Sequence, residues 1–464
     1  MSKKGVGIAV VVILLILIAG VAPYVIGGKV ETRFREGIAQ ANSEYGYPIE
    51  LTDYQRGWLH SHAVTRVQIE DQTFDIDHEI THGPLFVFGW ASIHSELPQD
   101  FTPEVAGFFD QSPLVADTRL GFGGGYRIDI ESPAFDKDVP EHPGAHVAWQ
   151  GLDGHYSRDG NQIELQLQGG GLKLDGPEGR VVVDDIRLSG DGSAMDDLDN
   201  PDAELDWDSR FEASLGRYQI SDKEGVFDIA YGMRLHADTA NGDNDTVELH
   251  AGYDITDLQI NAQPDQGDPI DIALDKAAIK LDLTGLKADP VEKAVLALRD
   301  IDTSRQSPEQ AQALAARVLM ELAPKILSGT PKLTVTVPPL ETGHGQARGE
   351  IAAGLIDSDE IPPRVAEATR DMPMLAMAQR LTLDANVFVE QQLIDWVADN
   401  LASERPAMAR DLNSQIKMLV QQGFLMREDG AVGLKLHSGK DAVVLNGHEI
   451  PPRQLQSLLH SLAR

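Results

Sequence analysis

The sequence predicts an α+β protein: an N-terminal transmembrane helix, a large antiparallel β-rich body, and C-terminal helices that finish in a hairpin. Three observations carry this. The run GVGIAVVVILLILIAGVAPYVIGG, Gly5 to Gly28, holds no charged residue and is long enough to span a bilayer, which takes about 20 apolar residues. From Pro48 to about Thr284, polar and apolar residues alternate with period two in runs separated by turns. Beyond residue 289 the spacing lengthens to that of helices.

The apolar run comes first. Lys3 and Lys4 precede it, which favours an inside N-terminus. Gly20-Val21-Ala22 imitates a cleavage site, but Pro23 follows it directly, so the run reads as an uncleaved signal anchor. The rest of the chain is then expected outside the cytoplasm, in the periplasm of a Gram-negative cell. Val30, Phe34, Ile38, Ala41 and Tyr45 recur every three or four residues, which predicts a short amphipathic helix ending near Gly46. Strands follow at 126–132, 162–168, 180–190, 225–238 and 246–261, with turn-rich pieces such as GPEG and NGDND between them. With no long helices among them, these strands predict antiparallel pairing.

A capping box, Ser307 with Gln310, and Pro308 at the first helical position open a helix striped by Leu314, Val318, Leu322 and Ile326. Strands at 332–337 and 345–356 come next. Two helical stretches follow, VFVEQQLIDWVADNLAS and PAMARDLNSQIKMLVQQG, the second closed by Gly423. A hairpin over 432–447 and a short leucine-striped helix end the chain. Three domains are expected: 1–28, a cytoplasmic stub and anchor; 29–285, β-rich and periplasmic; 286–464, mixed helix and strand.

Composition excludes several classes. Net charge is −34, from 39 basic and 73 acidic residues, which repels phosphate backbones and makes nucleic acid an unsuitable partner. Cysteine is absent, which removes disulfides, thiolate metal sites and cysteine nucleophiles.

One motif invites an enzyme. His78-Glu79-Ile80-Thr81-His82 matches the H-E-x-x-H pattern of zinc peptidases, with Glu96 or Glu104 available as third ligand. That chemistry needs a helix, where residues four apart share a face. Here Phe74, Ile76, His78, Ile80 and His82 alternate with Asp75, Asp77, Glu79 and Thr81, which is strand period. Gly83-Pro84 stops the segment, because proline disfavours a helical residue before it. On a strand the two histidines stand about 13 Å apart, too far for one zinc ion. The segment therefore reads as the return strand of a hairpin that pairs Ile69 with Phe74, Thr65 with His78 and Ser61 with His82. His60 and His62 then lie on the opposite face; their spacing of two suits metal ligands, but a hydrophilic strand face is the simpler reading. No metal, cofactor or catalytic residue is assigned.

The apolar N-terminal run, the short helix, YQRGWLHSHA at 54–63 and ITHGPL at 80–85 together resemble the YdgA-like family of bacterial inner-membrane proteins. The C-terminal segment LVQQGFLMREDGAVGLKLHSGKDAVVLNG is also similar to that family's ending. The resemblance marks Tyr54, Arg56, Gly57, Trp58, Ser61, Ala63, His82, Gly83 and Pro84 as family-signature positions. It implies a single-pass inner-membrane protein with a periplasmic body, open to homodimerisation, and it supplies no catalytic residues. The function expected is a non-catalytic binding or structural component of the cell envelope. Its partners would be the bilayer through the N-terminal helix, a second copy, and an envelope lipid or protein. Two alternatives stay open: a carrier of lipid or another hydrophobic ligand, using one apolar sheet face as a groove, and a membrane-tethered zinc metallopeptidase using His78, Glu79 and His82.

Overall fold

A computed structural model describes residues 28–39, 42, 48–69, 72–82, 91–99, 107–121, 123–139, 142–193, 207–263, 269–299, 301, 308–356, 380–404, 406–438 and 443–450. Residues 1–27 of the expected anchor segment 1–28, Ala41, Tyr45 and Gly46, Gly83 and Pro84, Glu104, the expected cap Ser307 and the leucine-striped segment at 455–462 lie outside these residues. Among the described residues no helix is long and apolar enough to cross a membrane. The chain is β-rich, with a large antiparallel sheet and helices concentrated toward the C-terminus.

Two compact units divide the chain. Residues 1–176, 184–203 and 301–312 belong to the first, and 177–183, 204–300 and 313–464 to the second. The division falls inside the stretch 29–285, so the longest strands group with the C-terminal helices.

In the first unit α1 (28–39) precedes β1 (Ile49–Arg56), β2 (His60–Ile69), β3 (Gln72–His82), β4 (Ala91–Glu96), β5 (Val115–Leu120) and β6 (Tyr126–Ser132). Each strand pairs antiparallel with the next. β7 (Phe135–Asp138), β8 (His146–Trp149), β9 (Leu152–Asp159) and β10 (Gln162–Asp175) continue the sheet, with β9 between β6 and β10. The core sits where α1 crosses β1–β4: Val30, Ala63, Ile80, Ala91 and Ile93 are buried, with Phe34, Leu51, Tyr54 and Leu120 packed around them. Val30 and Phe34 thus do what their helical spacing predicted.

The β2–β3 hairpin corrects one expectation. Ile69 pairs with Gln72, Thr65 with Ile76 and Ser61 with Ile80, a register two residues away from the expected one. An even slip keeps every side chain on its face, so the sidedness survives and only the neighbours change.

The second unit contains β12 (Ser209–Asp222), β13 (Phe227–Gly242), β14 (Thr246–Ala262), β15 (Ile270–Lys287), β16 (Lys332–Thr342), β17 (Gly345–Leu355), β18 (Leu381–Glu390) and β20 (Ala431–Ser438), paired in that order. β19 (Met426–Glu428), β21 (Val443–Leu445) and β22 (His448–Ile450) also belong to it, while β11 (Gly179–Ser193) is divided, with 184–193 in the first unit. Helix α2 (Ala288–Arg299) follows β15, and α3 (Pro308–Ile326) starts at the predicted proline. Helices α4 (Gln391–Glu404) and α5 (Pro406–Gln421) pack on each other, and α4 packs on β17 and β18. The predicted helix over VFVEQQLIDWVADNLAS starts late, because Val387, Phe388 and Val389 pair on both sides, with β17 and β20. Two ladder partners and β-branched side chains outweigh their helical spacing.

Candidate functional site

His78 and His82 both point to the core side of β3, and Glu79 points to the other side. His78 is 9% exposed, and both ring nitrogens are occupied, by Thr65 Oγ1 at 2.8 Å and by Ser95 Oγ at 2.8 Å. Burial pushes its pKa down to about 4, so the ring is neutral. His60 contacts Thr81, and His62 lies 3.4 Å from Asp77, both on the outer face. Glu96 pairs with His94, also outside. Among the described residues no group of three or more His, Asp or Glu side chains could hold a metal ion.

His78 instead sets a pH dependence. Its folded pKa lies below the unfolded value, so the unfolded chain binds the proton first as pH falls. The associated stability is complete above about pH 6.5 and declines toward pH 4, by about 3 kcal/mol over the window. The thermal midpoint of the protein is therefore expected to fall more steeply between pH 7 and pH 4.5 than that of His78→Gln. Equal slopes would remove His78 as the cause.

The described signature residues converge at the β1–β2 turn. A Cβ on Gly57 would lie 2.1 Å from the His60 carbonyl oxygen, so only glycine fits. The Gly57 N–H donates to Ser61 Oγ at 3.3 Å, and Ser61 Oγ meets His82 Nε2 at 3.0 Å. The backbone N–H of His82 donates to the Leu59 carbonyl at 2.7 Å. Ser61 is 5% exposed and His82 fully buried, and no described group meets its Nδ1 in good hydrogen-bond geometry. Burial lowers the His82 pKa, against the influence of the Trp58 carbonyl. Arg56 reaches Glu31 of α1 at 3.5 Å, Tyr54 packs against Phe34, and Ala63 is fully buried beneath. Trp58 stays 52% exposed.

A hydroxyl 3 Å from a neutral imidazole is the spacing of a nucleophile and its base. Here the hydroxyl is buried and already accepts a backbone N–H. The pair acts as a clip that ties the turn to the end of β3 over α1. Gly57→Ala should break that clip and lower the thermal midpoint by at least several degrees, an overpacking cost of about 1–3 kcal/mol. An unchanged midpoint would mean that the turn adapts freely.

The second unit carries the larger feature, a sheet with one apolar and one charged side. Following the register, Phe211, Ala237, Ala251, Leu281, Val335, Ile351, Ala385 and Leu436 form one unbroken row across eight strands. At about 4.8 Å per strand the row is roughly 34 Å wide. Leu235, Tyr253 and Ile279 stand beside it on the same side. The opposite side is ion-paired, with Arg234 to Glu212 at 2.6 Å, His250 to Asp282 at 2.6 Å and Lys276 to Asp254 at 3.4 Å.

Strict alternation would have lost the apolar side halfway along the strands. β12 takes three residues from Leu215 to Tyr218 while β13 takes two from Met233 to Tyr231, so β12 holds one extra residue. β14 gains one against β13 near Asp257, whose φ is +51°, and β15 keeps a constant register with β14 through it. β16 gains one against β17 at Pro338-Pro339. These aligned bulges return Tyr218, Ile220, Leu258, Ile260, Leu274, Ile272 and Leu340 to the apolar side. The face is open: Phe211 is 38% exposed, Leu235 41%, Ile279 51%, Ile351 46% and Leu381 54%. Exposed apolar patches beyond a few hundred Å² mark interaction sites.

Fold and site together define a β-rich protein whose long antiparallel sheet turns an apolar face outward. The chain belongs to a bacterial family of unknown function, DUF945, whose model matches residues 1–453. No curated protein and no solved structure matches the chain.

Proposed function

We propose that this is a non-catalytic carrier of lipid or another hydrophobic ligand in the bacterial cell envelope, a YdgA-like protein held at the inner membrane by its N-terminal apolar segment with its body in the periplasm. The uncovered apolar face of the second unit carries this reading. A protein surface that is otherwise strongly acidic keeps a charge-free strip roughly 34 Å wide, which water alone does not favour. Hydrocarbon chains suit it, because they need burial and make no polar demand. The uncharged run Gly5–Gly28 would place such a carrier beside the source of its ligand.

Native mass spectrometry of residues 29–464 tests this. Non-covalent adducts with masses of membrane lipids are expected on the folded chain. A lipid-free dimer would mean that a second copy covers the face, and the carrier reading would fall.

A further inference from the structure

The apolar face changes character along its strands. At the end crossed by α4 and α5 it becomes a cleft of about 470 Å³ lined by residues including Ile272, Leu274, Leu340, Val389, Leu393 and Trp396. That volume lies within the range of small-molecule sites. Among the described residues its walls carry no Asp, Glu, Lys or Arg side chain, and their polar residues are Thr342 and His344, besides the indole of Trp396. The Thr342 hydroxyl is committed, donating to the Gly345 carbonyl at 2.8 Å and accepting the His344 N–H at 3.1 Å. The His344 ring stacks on Trp396, with centroids 4.7 Å apart and planes 10° from parallel. A carboxylate or phosphate buried there would meet no Lys or Arg among the described residues, which is costly. The chain's charge of −34 adds repulsion. The aligned bulges put Leu274 on the side of Ile279, and Leu340 on the side of Val337, so the cleft opens onto the exposed face.

We infer that the cleft seats the end of one hydrocarbon chain, with the rest of the chain along the open face and the headgroup outside, so that the ligand is selected by its chain and not by its charge. This rests on the carrier reading above and adds the ligand class and its orientation.

Photolabelling of the full-length protein in its native membranes tests it. Two probes are used, palmitic acid with a diazirine near its methyl end and the corresponding alcohol, and the labelled peptides are mapped by mass spectrometry. Both should label β15, β16 and α4, the alcohol at least as well as the acid. Leu393→Asp should cut labelling in the cleft by about tenfold, because the new carboxylate is buried unpaired. Val397→Asp, on the same wall but 36% exposed, should act alike and does not depend on a tolerant core. Preference for the acid by more than about tenfold would overturn the charge-free seat. Label on the open face but none in the cleft would overturn the cleft and leave the carrier intact. No label in either region would overturn both.

Discussion

Ile80→Ala is expected to lower the stability of the first unit by about 2–5 kcal/mol, the range for deleting a buried branched side chain. Ile80 is 1% exposed and stands at the centre of the cluster with Val30, Ala63, Ala91 and Ile93. Two of those neighbours are alanines, too short to reach into the space it would leave. The flanking histidines restrict relaxation further, because His78 is held by Thr65 and Ser95 and His82 by Ser61. Thermal or denaturant unfolding of the variant reads the loss. A cost below about 1 kcal/mol would mean that α1 settles into the cavity, and the core would then be looser than its burial indicates.

A pair of carboxylates on the open apolar face should have the largest effect on ligand. In Ile279→Asp with Ile351→Asp, both positions are about half exposed, at 51% and 46%, so the chain keeps its fold while the strip gains two charges. Hydrocarbon laid over these positions would desolvate them, and the lipid adducts on the purified protein should fall by at least about tenfold. Unchanged adducts would place the bound lipid elsewhere and remove the face from the carrier reading.

In the first unit β3 was legible because its alternation is undisturbed, whereas a bulge between Leu51 and Asp53 breaks that of β1. Phe74, Ile76, His78, Ile80 and His82 read as one face from spacing alone, and β3 places them so. The proximity of Ser61 and His82 was also readable, although the observed register brings them together diagonally and not as direct partners. Two features were less legible. The start of α4 is hidden in the sequence, because VFVE has apolar spacing that suits either element, and only its pairing with β17 and β20 decides. The extent of the apolar face was hidden by its three-residue steps, Leu215 to Tyr218, Ile255 to Leu258, Leu274 to Ala277 and Val337 to Leu340. Each looks like a failure of alternation in one strand. Their meaning appears once the strands lie side by side and the failures align.

That alignment makes the long sheet intolerant of one kind of genetic change. Loss or gain of a single codon in the middle of β14 would move half of its apolar side chains to the charged side and their polar neighbours to the apolar side. Repair would take a compensating change in the same strand, within a few residues. Such strands can drift in residue identity, yet their lengths are bound to one another, and indels between paired strands should be recoverable only in compensating sets.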